Sequence, residues 1–104
     1  MTRPHTSQTV RVAAVQMVSK PAVDANLRDA DTLIAEAARA GAQLVALPEY
    51  FCLMGRETDK VAAREVEGRG PIQDFLAATA KRHGIWLVGG TVPLESGDAR
   101  RVMN

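Results

Sequence analysis

The run Leu44-Val45-Ala46-Leu47-Pro48-Glu49-Tyr50-Phe51-Cys52 sets a carboxylate and a thiol three residues apart, directly after an apolar segment. A carboxylate at such a place has a definite use. Apolar neighbours such as Leu47, Tyr50 and Phe51 disfavour its ionised form, which raises its pKa toward the range where it serves as a general base. The same residues also describe an ordinary acid leaving a strand, solvated or salt-bridged, and the motif alone leaves both readings open. Cys52, the only cysteine, invites a nucleophilic role by its closeness to Glu49. It lies directly after the candidate base and matches no nucleophile motif, so its reading is a free, partly buried thiol. Tyr50 and Phe51 either line a substrate pocket beside Glu49 or pack as aromatics after a strand.

Other chemistry-bearing residues are sparse. His5 falls near the start of the chain, and His83 adjoins a helix end, where a cationic imidazole complements the dipole. Neither belongs to a cluster with metal-ligand spacing, so no metal is expected. Lys20, Lys60 and Lys81 read as surface charges. Gly89-Gly90 lacks the spacing and the following helix of a phosphate-binding loop, so no nucleotide cofactor is expected. The pair instead marks a bulge, or a place where another backbone or a ligand comes close.

The elements that must position these residues follow from hydrophobic pattern. Val10 to Met17 is β-branched and nearly continuous in apolar character, as in a strand covered on both faces. Val23, Leu27, Ala30, Ile34, Ala37 and Ala38 then recur at helical spacing until Gly41, which suits a left-handed helix terminus. Leu44 to Leu47 is a second strand, closed by Pro48, which cannot donate a ladder hydrogen bond. Residues 50 to 70 read mostly as loop, with one short helical stretch over Asp59 to Arg64. Pro71 opens a second long helix with Ile72, Phe75, Leu76, Thr79 and Ala80 on one face, stopped at His83-Gly84. Ile85-Trp86-Leu87-Val88 is a third strand, with Trp86 read as core. A polar turn at Glu95 to Asp98 precedes the start of a fourth strand at Arg101 to Asn104. Strand, helix, strand, helix, strand with right-handed crossovers makes a parallel α/β sheet, and functional residues of such sheets collect at the carboxyl ends of the strands. Glu49 stands at that edge.

Composition narrows the partners. A net charge of +1 over 104 residues gives no case for nucleic acid or a membrane surface, and 46% hydrophobic against 24% charged residues describes a globular chain. One cysteine excludes an internal disulfide framework and fits a reducing compartment, so the expected location is the cytoplasm. Residues 1–9 carry no apolar signal core and are read as a mobile tail, with residues 10–104 as the folded part.

From Val10 to about Glu95 the sequence resembles the amino-terminal part of the carbon-nitrogen hydrolase (nitrilase) superfamily. The residues that carry the likeness are Val12-Ala13-Ala14-Val15-Gln16-Met17, Asn26-Leu27, Gly41-Ala42-Gln43-Leu44-Val45-Ala46-Leu47-Pro48-Glu49 and His83-Gly84-Ile85-Trp86-Leu87-Val88-Gly89-Gly90. The resemblance implies an α-β-β-α sandwich, here its amino-terminal portion, and a homo-oligomeric, cofactor-independent hydrolase of small amides or nitriles. It implies a Glu-Lys-Cys mechanism and gives Glu49 the role of base. The motifs that carry the family's lysine and nucleophilic cysteine are absent from these residues. The chain therefore reads as a partial domain, truncated at its carboxyl end and inactive alone, with one sheet face lacking its partner. The alternative is a non-catalytic α/β interaction module that completes its sheet with a partner.

Overall fold

The computed structural model describes residues 8–104; residues 1–7, which include His5 and most of the expected tail, lie outside the described residues. Three short strands, β1 (Val12–Ala14), β2 (Leu44–Ala46) and β3 (Trp86–Val88), form a parallel sheet in the order β1-β2-β3. Backbone pairing runs one residue further. Val15 N–H donates to Ala46 O at 2.9 Å and Leu47 N–H to Val88 O at 2.9 Å, and there Pro48 ends the ladder of the central strand.

Each connection between strands carries a long helix, α1 (Val23–Arg39) after β1 and another (Pro71–His83) before β3. A sheet that steps the same way twice with right-handed crossovers receives both helices on one face. The two pack against each other there. Between them and the sheet lie Ala30 and Ile34 of α1, Val45 and Leu47 of the central strand, and Ile72, all buried. A fully buried aliphatic side chain of this kind contributes roughly 1.5–3 kcal/mol. Helix α1 ends at Arg39 and is capped by Ala40, with Gly41 next at φ 93. There Ala42 N–H reaches Ala37 O and Gly41 N–H reaches Ala38 O, which satisfies the last carbonyls.

The segment between β2 and the second long helix is more ordered than its composition predicts. A short helix, α2, spans Glu57–Ala63, beginning two residues before the expected stretch. The reason is a cap: the Asp59 carboxylate accepts the Arg56 N–H at 2.8 Å. The long helix Pro71–His83 is thus α3, and Pro71 takes its first turn as expected. At the carboxyl end, β4 (Leu94–Glu95) and β5 (Val102–Met103) pair antiparallel around the polar turn.

One expectation is corrected. The strands are apolar on both sides, yet only one side is covered by the described residues. Val45 is fully buried toward the helices, while Val12, Trp86 and Val88 are exposed on the opposite face. Trp86 is 78% exposed and so is not core within this chain. Strand residues alternate between faces with a period of two, and α1 and α3 both occupy the same face.

Candidate active site

Glu49 leaves the carboxyl end of β2, the central strand of the sheet. Phe51 N–H folds back to Pro48 O at 3.1 Å, closing a four-residue turn with Glu49 and Tyr50 at its centre. Tyr50 has φ 51, and it alone among the described non-glycine residues has a positive φ. A tyrosine there carries a cost of about 1–2 kcal/mol that glycine would avoid, and such strain persists only where the surroundings impose it.

The turn sorts its side chains. Phe51, Cys52 and Leu53 go into the core, and Phe51 meets Phe75 of α3 with ring centroids 6.5 Å apart. Glu49 points the other way and is exposed. The expected apolar shielding of Glu49 is therefore not provided by this chain, because Leu47 and Phe51 on either side of it turn inward. Phe51, read as a candidate pocket residue, is a packing residue here. Tyr50 is half-buried; its hydroxyl donates to Asn104 Oδ1 at 2.9 Å, and Lys60 of α2 sets its ammonium 3.9 Å from the centre of the ring. Lys60 is thus a cation–π partner of the residue after the candidate base. Lys20 and Lys81 are exposed.

Cys52 is fully buried and donates to Thr91 O at 3.6 Å. Burial pushes its thiol up to about 11, with the charge of Glu65 adding to the rise and a backbone hydrogen bond opposing it. At neutral pH it is a thiol, not a thiolate, and no nucleophile. Among the described residues, no group of three or more His, Cys, Asp or Glu side chains is arranged to hold a metal ion.

Three polar residues that no motif singled out for a role hold this edge together. Asn26, fully buried on α1, donates through Nδ2 to Lys20 O at 2.6 Å and to Cys52 O at 2.9 Å, and accepts the Lys20 N–H at 2.8 Å. It ties the loop leaving β1 to the turn leaving β2. From the other side Thr91, just after β3, accepts the Tyr50 N–H through Oγ1 at 2.8 Å. Glu65, 6% exposed, accepts the N–H groups of Ile72 and Gln73 at 2.6 and 3.1 Å and so caps α3. A signal for Asn26 was present: it is an amide on the apolar stripe of a helix, flanked by Val23 and Ala30. Nothing local marks Thr91, whose partner is 41 residues away, and Glu65 reaches the head of α3 across the loop that precedes it.

Residues 11–104 match the carbon-nitrogen hydrolase family. A deaminated glutathione amidase of Synechocystis is 37% identical over 93 residues, which cover 88% of this chain and 34% of that protein. The omega-amidase NIT2 of Danio rerio is 45% identical over 89 residues, covering 84% of this chain and 31% of that protein. In three dimensions the chain is similar to Saccharomyces cerevisiae Nit3, a member of branch 10 of the nitrilase superfamily. The TM-score is 0.73 at 31% identity, covering 82% of this chain and 34% of that one. The chain thus spans about a third of the length of the curated relatives it matches.

Proposed function

This chain belongs to the carbon-nitrogen hydrolase family, and from that premise we propose that it supplies the general base, Glu49, of an enzyme hydrolysing the C–N bond of small amides. The amidase names of its relatives favour amides over nitriles as the substrate class. The observation that carries the reading is the placement of Glu49. It is an exposed carboxylate at the carboxyl edge of the central strand, on a strained turn tied by Thr91, just after β3, and followed by Cys52, whose carbonyl is held by Asn26 of α1. Parallel sheets place their chemistry at this edge, and backbone strain concentrates at functional sites.

In this reading the nucleophilic cysteine and the lysine come from parts of the whole protein other than these 104 residues. Glu49 removes the proton from that thiol, and the thiolate attacks the amide carbon. The lysine ammonium stabilises the oxyanion of the tetrahedral adduct. Glu49 then returns its proton to the leaving nitrogen, the C–N bond breaks, and ammonia or an amine departs from a thioester. Water, deprotonated by the same carboxylate, attacks the thioester and releases the acid and the free thiol. Tyr50 borders the substrate beside Glu49. Cys52 takes no part, being buried and protonated, so the 104 residues alone do not turn over.

Glu49→Gln keeps the shape and removes the base. In the whole protein, ammonia release from a short ω-amido acid such as glutaramate is expected to fall roughly 10²- to 10⁴-fold, with an unchanged circular dichroism spectrum. Turnover near the native rate in a folded Glu49→Gln variant would sink the assignment.

A further inference from the structure

Glu49 is exposed, so where its carboxylate stands depends on the backbone that carries it. That backbone is the turn Pro48 to Phe51, whose unusual member is Tyr50 at φ 51. The peptide joining Glu49 to Tyr50 has one N–H, and it donates to Thr91 Oγ1 at 2.8 Å. Two further contacts come from the same short segment after β3. The Thr91 carbonyl accepts the Cys52 thiol at 3.6 Å, and Gly90, at φ 63, lies so close that a Cβ there would overlap the Pro48 carbonyl oxygen. Residues 90 and 91 therefore act as a mould against which residues 48 to 52 are cast. Without the hydroxyl, a half-buried N–H loses its acceptor. The left-handed tyrosine then loses the bond that holds it, and relaxation of φ swings the Glu49 peptide away from its present plane.

We propose that Thr91 is a positioning residue for the base: its hydroxyl fixes the strained turn that aims Glu49. The proposal rests on the reading of Glu49 as the base. Asn26 and Ser19 support the opposite side of the turn, through the Cys52 carbonyl and, at 2.7 Å, the Phe51 carbonyl. Neither of them touches the Glu49–Tyr50 peptide. Thr91 is alone among the three in gripping it.

The test compares Thr91→Val, which swaps the hydroxyl for a methyl at nearly constant shape, with Thr91→Ser, which keeps the acceptor. In the whole protein with glutaramate, Thr91→Val is expected to lower kcat roughly ten- to a hundredfold with KM little changed, as misplacement of a catalytic group does. Thr91→Ser is expected to retain native kcat. Native kcat in a folded Thr91→Val variant, or an equal loss in Thr91→Ser, overturns the proposal. A double-mutant cycle with Tyr50→Gly gives a second reading, because glycine takes the left-handed turn without strain. In the Tyr50→Gly background the hydroxyl is expected to matter less for kcat, and full additivity overturns the proposal. If Thr91→Val alone fails to fold, the pair is expected to fold; an unfolded pair also overturns it. Amide exchange separates this outcome from failure of the base assignment. Should Glu49→Gln stay active, the base reading falls. Faster exchange of the Tyr50 N–H in Thr91→Val but not in Thr91→Ser still upholds the restraint on the turn, and unchanged protection removes it.

Discussion

The two faces of the β1-β2-β3 sheet are built from the same kinds of residue and have opposite fates. Toward α1 and α3, Val45 and Leu47 meet Ala30, Ile34 and Ile72 in a closed layer. On the other side Val12, Trp86 and Val88 stand 63%, 78% and 52% exposed. A nearly continuous apolar run thus records that a strand is meant for burial on both sides, while which side is filled depends on where the connecting helices land. The α-β-β-α sandwich that the sequence resemblance implies would set a second sheet against the bare side. The candidate base lies between the two regimes. Its scaffold is finished on the helix side, where Phe51, Cys52 and Asn26 are sealed, and open on the side to which Glu49 points.

The largest expected effect tests whether that difference is one of cover and not of composition. Ile34→Ala in the helix layer removes buried aliphatic volume from a site with no exposure, and is expected to cost about 3 kcal/mol. The cost is expected in the 104-residue chain and in the whole protein alike. Trp86→Ala is expected to change the stability of the chain by less than about 0.5 kcal/mol, since its ring is already in water. Where a second sheet covers this face in the whole protein, as the resemblance implies, the same substitution is expected to cost about 3 kcal/mol or more. Urea unfolding of both variants in both forms measures the four values. Equal costs for Trp86→Ala in the two forms would erase the distinction between the faces.

Much of this architecture was legible beforehand, for reasons that are local. The 3.6-residue spacing of Val23, Leu27, Ala30 and Ile34, the Gly41 terminus and Pro71 at the head of α3 are signals carried within one or two turns of helix. Pro48 marked the end of the central strand, and so the place of Glu49. The shape of the turn that carries Glu49 was not legible, because it includes a left-handed Tyr50, and nothing in a tyrosine announces that conformation. The Thr91 hydroxyl that accepts its N–H is 41 residues away in sequence. Phe51 illustrates the same limit. An aromatic beside a candidate base suits a pocket wall or a core equally well, and only the position of Phe75 decides between them.

A smaller effect probes how dry the covered side is. The Cys52 thiol is pushed from its ordinary 9.0 to about 11, chiefly by burial. A raised pKa in the folded state favours the protonated form, so this contribution to stability is fully present below pH 9. It declines as the pH climbs toward and through about 11, because the unfolded thiol ionises first. The loss is on the order of 2 kcal/mol, read as the difference in pH dependence between the native chain and Cys52→Ala in urea titrations at pH 8 and pH 11. On the bare face the same group behaves differently. In a Cys52→Ala background, Val88→Cys is expected to react with iodoacetamide at pH 8 at the rate of an unfolded thiol, while native Cys52 is protected until the chain unfolds. Equal labelling rates in the folded state would mean that the helix layer does not exclude solvent.

The smallest effect belongs to the outer surface of that same layer, where α1 and α3 are joined by the ion pair Asp31–Arg82 at 2.5 Å. The distance is short, but the side chains are 47% and 58% exposed, so water screens the pair and two flexible side chains lose freedom in making it. Asp31→Asn is accordingly expected to lower stability by no more than about 0.5 kcal/mol, and the difference is expected to vanish in 1 M salt. Thermal unfolding at low and high ionic strength measures it. A loss that is large and insensitive to salt would mean that the helices are held to each other by this bridge and not by the apolar layer beneath them. The contrast between the two faces would then be one of electrostatic bracing, with cover by the helices a secondary matter.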